Sequence, residues 1–311
     1  MISNVKYILN SLRSNLNIKK EVSLFNDNIK ANVLPNETAN SIIHDRIIAG
    51  QPSFITRFGS SELTTLIYYR FERRKNRNRF QWNQHHKHIL CDVSGFFPFT
   101  QNSLDNFCDL YFKLIPDIDM LGVWNIGEHK VADLFSQRIQ LMNLRAIEPY
   151  YVPNPWSSAL AGKRVLVIHP FAESILLQYK KRELLFPGTQ MLPEFDLQVI
   201  PAVQSVADNT QGFNNWFEAL DSMFLELSNK QFDVAIIGAG AYGMPLADFI
   251  KMKMGKVAIH LGGATQILFG IKGKRWDDHE FISKLFNEYW KYPMPSEIPT
   301  NYKKVEDGCY W

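Results

Sequence analysis

Four short stretches of the chain carry residue types suited to chemistry on phosphates and hydroxyls. The first is Thr56-Arg57-Phe58-Gly59-Ser60-Ser61-Glu62-Leu63. It joins SFITRFG (53–59), a short β-like run ending in Gly, to SSELTTLIYYRF, whose apolar residues recur at helical spacing, so Arg57 to Glu62 fall on a strand-to-helix turn. Ser60 or Ser61 is the natural N-cap of that helix. Such a turn is a common location for chemistry in α/β proteins, because ligands gather at the carboxyl ends of strands. Glu62 is therefore the first candidate for a catalytic group. Its structural alternative is a Glu favoured by the dipole of a helix first turn.

The second stretch, Gly238-Ala239-Gly240-Ala241-Tyr242-Gly243, matches G-x-G-x-x-G after the apolar FDVAII and before a helical pattern. Glycines there permit a tight turn, and free N–H groups at the helix start attract a diphosphate. Gly238, Gly240, Tyr242 and Gly243 are candidate contacts for a nucleotide diphosphate or a phosphosugar. Close helix–strand packing is the competing explanation. A dinucleotide site also wants an acidic residue about 20 residues on, at the end of the second strand. Here KVAIHL ends in Gly262-Gly263. An NAD(P)-dependent oxidoreductase is thus the second reading, weakened by that missing carboxylate.

The third stretch supplies Gly262, Gly263 and Gln266, followed by Lys274, Arg275 and Trp276. Two glycines, an amide, cations and an indole are the parts of an anion and ring-stacking site; Arg grips two phosphate oxygens and Lys acts as a point charge. The fourth is His169-Pro170, with Glu173 just beyond, at another strand-to-helix junction. Asp92, Asp208 and Asp277 are weaker candidates for a base.

The elements that must hold these residues read as alternating strands and helices. SFITRFG (53–59), DMLGVWN (119–125), RVLVIHP (164–170), FDLQVIPA (195–202), FDVAIIGAG (232–240) and KVAIHL (256–261) are strand-like. SSALAG, AESILLQYKKREL, NNWFEALDSMFLELSNK and GMPLADFIKMKM are helical. Such alternation predicts βαβ units and a mostly parallel sheet flanked by helices, an α/β Rossmann-like fold. Val5, Ile8, Leu9 and Leu12 predict an amphipathic helix, with a loop around Pro35-Asn36. The expected organisation is an N-terminal helical segment at 1–45 and one α/β domain at 46–311.

Composition narrows the function classes. The chain has 311 residues, 46% apolar and 21% charged, with a net charge of +3. Those values exclude a disordered tail, a fibre and a histone-like polycation, and no nucleic-acid partner is expected. Its three cysteines, Cys91, Cys108 and Cys309, show no metal-site spacing and suit a reducing compartment. No secretory signal or membrane span is evident, so the expected location is cytoplasmic. Residues 70–88 carry seven Lys/Arg against one Glu. That local excess is either a solvated loop or an attraction to a polyanion, a phosphate-bearing ligand or an anionic membrane surface, the last of which would place the protein at the inner membrane face.

Taken together, TRFGSSEL (56–63), GKRVLVIHPF (162–171) and the stretch from DVAIIGAGAYG to FGIKGKRW (233–276) resemble the GT-D type glycosyltransferases. These are Rossmann-like sugar transferases of bacterial polysaccharide and adhesin-glycosylation systems. The branch carrying GGxxQxxFGIKGKRW is the most similar. The resemblance implies a nucleotide-sugar donor, a glycan or lipid-linked acceptor, and Mn²⁺ or Mg²⁺ at an Arg-x-Gly-Asp-Gly-Glu motif. Arg57, Gly59 and Glu62 match that motif, but Ser60 stands where it has Asp and Ser61 where it has its second Gly. A hydroxyl is a weak ligand for either ion. A weak metal requirement is therefore expected, with Glu62 the residue to hold a cation if one binds. Loss of the motif Asp also leaves room for a non-catalytic nucleotide-sugar-binding or assembly protein.

Overall fold

The computed structural model describes residues 33–75, 79–125, 127–206 and 209–311. The proposed amphipathic positions Val5, Ile8, Leu9 and Leu12, and Asp208, lie outside them. Eight strands form one all-parallel sheet: β1 (Val33–Leu34), β2 (Ser53–Thr56), β3 (Met120–Val123), β4 (Gln140–Asn143), β5 (Arg164–His169), β6 (Asp196–Pro201), β7 (Val234–Ile237) and β8 (Val257–His260). Their order is β1-β4-β3-β2-β8-β7-β5-β6, and every pairing is parallel. The fold is α/β and Rossmann-like, as the alternation predicts.

Six helices of eight residues or more pack on this sheet among the described residues: α1 (Asn36–Ala49), α2 (Ser60–Lys75), α3 (Gln101–Leu114), α4 (Ala172–Tyr179), α5 (Trp216–Ser228) and α6 (Gly243–Met254). Pro35-Asn36 corrects one expectation. Pro35 caps α1 instead of lying in a loop, because its extended backbone and missing N–H suit a helix start. Helix α1 ends on Gly50 in the left-handed conformation. SSALAG is a single 3₁₀ stretch, Trp156–Leu160.

Strands β2, β3, β7 and β8 are buried throughout, as parallel strands covered on both faces must be. Alternate residues feed two cores. Phe54, Leu166, Ile168, Ala235 and Ile237 face α2, α3, α5 and α6. Ile55, Val165, Val167, Ile236 and Ile259 face α1 and α4. The consequence for function is geometric. Because all strands run the same way, β2, β3, β5, β7 and β8 deliver the residues that follow them to one edge of the sheet. No described helix is long and apolar enough to cross a membrane.

Candidate functional site

A cavity of about 200 Å³ opens at that edge. Its wall is built from the turn after β2 (Arg57, Gly59, Ser60, Ser61, Glu62) and from Trp124 after β3. It continues through His169 after β5, Gly238, Gly240 and Tyr242 after β7, and His260, Gly262, Gly263 and Gln266 at and beyond the end of β8. Arg275 closes it together with Glu306, Tyr310 and Trp311. Residues spread over more than 200 positions of sequence thus meet in one place.

The β2 turn differs locally from the expected serine cap. Gly59 offers its carbonyl to the Leu63 amide at 2.9 Å, while the Ser60 hydroxyl leaves the helix and donates to Asn125 Oδ1 at 2.8 Å. Neither serine caps α2. The Glu62 side chain folds back instead, so that a Cβ on Gly59 would sit 1.7 Å from Glu62 Oε2. Glycine at 59 is what leaves room for the carboxylate. Glu62 is buried, and burial raises its pKa above the ordinary 4.5; its own backbone amide, Arg57 and Ser94 pull the other way. A carboxylate with a raised pKa is a stronger proton acceptor whenever it is ionised.

With Arg275, Arg57 is one of two arginines on the cavity wall among the described residues. Its guanidinium lies 4.8 Å from the centre of the Trp124 ring, and its Nε is buried without a hydrogen-bond partner. Trp124 is itself pinned. Its indole N–H donates to the Phe58 carbonyl at 2.9 Å, and its backbone amide donates to the Glu128 carboxylate at 3.1 Å. Burial pushes Glu128 up to about 8 and Glu148 up to about 7, against the pull of Arg57. Glu128 is thereby kept mostly protonated near neutral pH and does not neutralise Arg57, whose charge stays available for an incoming anion.

Both histidines on the wall are neutral. Burial pushes His169 and His260 down to about 3, with Arg57 adding to the effect on His260. His169 Nδ1 accepts the Phe171 amide at 2.9 Å, which leaves its proton on Nε2 as a donor. His260 Nδ1 pairs with Thr56 Oγ1 at 2.9 Å.

Several expected contacts have other neighbours. A Cβ on Gly243 would meet the His260 ring at 2.2 Å, and Gly243 stands outside the cavity lining. Its position matches the packing alternative. Gln266 gives its amide N–H groups to the Lys272 and Tyr310 carbonyls at 2.9 and 3.1 Å, so it braces the wall. Trp276 is buried in the second core and Lys274 pairs with Asp307; neither lines the cavity. Tyr242 stacks on Trp216 at 4.8 Å and hydrogen-bonds Ser205 at 2.7 Å, which fixes its hydroxyl at the wall. Glu173 lies on the outer side of α4, where its carboxylate accepts from Ser296. Asp92 pairs with His88, and Asp277 accepts from Tyr292. Within 70–88, Arg70 pairs with Asp133, Arg73 with Asp105 and Lys75 with Glu72.

Trp124, His260, Glu306, Tyr310 and Trp311 were not singled out by sequence reasoning. Trp124 and His260 had a signal, since each ends an apolar strand. The segment 302–311 had none, because its place on the cavity comes from long-range packing.

The residues at the motif do not fit a divalent cation. Ser60 is engaged with Asn125, and Glu62 lies folded over Gly59. Among the described residues no three His, Cys, Asp or Glu are grouped to hold a metal ion.

No curated protein and no solved structure matches the chain. A family model described as a GT-D fold-like domain matches residues 153–268, the stretch that holds β5 through β8. Arg57, Glu62 and Arg275 stand outside that stretch. Over that stretch, just over a third of the chain, the protein is similar to the GT-D fold-like domain, which suggests a glycosyltransferase-related function.

Proposed function

We propose that the protein transfers a sugar from a nucleotide-sugar donor, a UDP-sugar, to a hydroxyl of a surface-glycan or lipid-linked acceptor. The observation that carries this reading is Arg57. A buried guanidinium nitrogen with no partner, on a cavity where five parallel strands end, calls for an anionic ligand. The diphosphate of the donor fits that demand. Arg57, Arg275 and the backbone N–H groups around Gly238–Tyr242 would offset the charge that grows on the leaving nucleoside diphosphate.

In the transfer, the acceptor oxygen bonds to the anomeric carbon as the bond from that carbon to the phosphate oxygen breaks. Glu62 takes the acceptor proton, and UDP leaves with the bonding electrons. No step runs through a metal ion, and the requirement for Mn²⁺ or Mg²⁺ is weak or absent. Cation-dependent turnover that EDTA abolishes and only Mn²⁺ restores would contradict that part.

Thermal-shift titration separates the readings. UDP, GDP, CDP and NAD are compared, and UDP is expected to stabilise the protein most; stabilisation by NAD alone would favour an oxidoreductase. A protein that binds UDP yet never hydrolyses or transfers a UDP-sugar is a binding or assembly protein, the reading that Ser60 in place of the motif Asp favours.

A further inference from the structure

The cavity is closed on one side by a strap, residues 302–311, that carries its own anions. Glu306 and Arg275 both line the cavity, and they form an ion pair. Next to it Asp307 pairs with Lys274. The two cations of the GKRW segment are thus each covered by an acidic residue of the strap.

Resting on the donor reading above, we propose that the Glu306 carboxylate occupies a phosphate position on Arg275, and that the donor diphosphate displaces it and loosens the strap. Four observations carry this. The Arg275 and Glu306 side chains are 37% and 51% exposed, and an ion pair so open to water contributes only about 0–1 kcal/mol. A phosphate that takes two guanidinium N–H groups binds more strongly than that. The turn is also conformationally unfavourable, since Glu306, Asp307 and Gly308 have φ of 46°, 57° and 78° in succession. Two of the three are not glycine, and each pays for the left-handed region unless contacts hold it there.

The third observation is the Trp311 indole N–H, which is buried against the wall without an acceptor. A seat that leaves a buried donor unsatisfied is not an optimal one. The fourth is size. The cavity measures about 200 Å³ with the strap in place, below the roughly 300–1,000 Å³ of typical small-molecule sites. A nucleotide sugar needs the strap to yield. Otherwise the strap is held by the Arg275 amide to the Cys309 carbonyl at 2.9 Å, the Lys274 amide to the Trp311 carbonyl at 3.4 Å, the Gln266 side-chain amide to the Tyr310 carbonyl at 3.1 Å and the Arg275 guanidinium to the Tyr310 hydroxyl at 3.1 Å. Val305 and Cys309 are buried, and Tyr310 and Trp311 pack on the second core, so the part of the strap that loosens is its exposed turn at Glu306 and Asp307.

The experiment is calorimetric titration of the full chain with UDP and with pyrophosphate, on wild type, Glu306→Gln, Glu306→Asp and Asp307→Asn. Removing the competing charge in Glu306→Gln is expected to tighten both ligands by about two- to fivefold, the factor that follows from losing a competitor worth about 0.4–1 kcal/mol. Glu306→Asp keeps the charge and should stay close to wild type; Asp307→Asn, off the cavity wall, should change less than Glu306→Gln. Unchanged or weaker binding by Glu306→Gln overturns the proposal, as does equal tightening by Glu306→Asp. A second readout needs no variant: UDP should speed trypsin cleavage at Lys303-Lys304, and protection there would mean that the strap closes over the ligand instead. Wild type that binds neither UDP nor pyrophosphate would sink the donor reading itself, a result distinct from a failure of the Glu306 variants alone.

Discussion

The guanidinium of Arg57 packs against the face of Trp124, with 4.8 Å between the guanidinium carbon and the ring centre. Trp124 is held in turn by the Phe58 carbonyl and the Glu128 carboxylate. The contact fixes the charge at the cavity wall and shields one side of it from water. A cation desolvated in this way interacts more strongly with an anion than one on a free side chain.

Removing the cation tests the donor site. Arg57→Ala is expected to weaken UDP binding by roughly 10- to 100-fold, the loss of one or two charge-assisted hydrogen bonds of about 1.5–3 kcal/mol in total. Arg57→Lys should recover only part of it, because an ammonium has no fork geometry. Calorimetry measures both.

Trp124 acts through Arg57 and through its own exposed face. Trp124→Phe keeps a ring over the guanidinium and should change UDP affinity by less than about threefold. Trp124→Ala should cost about 0.5–2 kcal/mol of affinity, the range of a cation–π contact. Equal affinities for wild type and Trp124→Ala would show that the ring does not organise the site.

Gly59 and Glu62 share one volume. Gly59→Ala places a methyl group where the Glu62 carboxylate now lies, so turnover should fall while the melting temperature moves little, since the carboxylate can swing toward the cavity. In a Glu62→Ala background the same substitution should have no further effect on turnover. Additive losses would mean that Gly59 serves the backbone and not the carboxylate.

Glu128 makes stability depend on pH. Its carboxyl is fully buried and titrates at about 8 against an ordinary 4.5. The folded state therefore binds the proton more tightly than the unfolded chain, and stability falls as pH rises from about 4.5 through about 8. Chemical denaturation of Glu128→Gln should show a shallower decline across that window, with a gain over wild type at pH 8–9 on the order of one to a few kcal/mol. An identical pH dependence in both proteins would contradict the burial argument.

The sheet was legible because parallel strands buried on both faces appear as continuous apolar runs, and RVLVIH, VAII and VAIH are such runs. β1 has only two half-buried residues and β4 mixes polar and apolar positions, so neither has a strand signature. At the site, glycine and charge marked Arg57, Glu62, Gly238, Gly262 and Arg275 as residues that reach one cavity. Lys274 and Trp276 share that local pattern, yet Asp307 and the core hold them away from it. Those partners lie elsewhere in sequence. Periodicity cannot see them, and the same holds for the pairing of Ser60 with Asn125.

The central claim is that this cavity breaks the sugar–phosphate bond of a nucleotide sugar with Glu62 as the base. The most direct measurement is UDP release from UDP-sugars by purified wild type and Glu62→Gln, each also titrated with UDP. The account predicts release by wild type, a fall of about 100-fold or more in Glu62→Gln, as expected when a general base is removed, and UDP affinity within about threefold of wild type. Turnover by Glu62→Gln equal to wild type, or no turnover of any UDP-sugar by wild type, would contradict it.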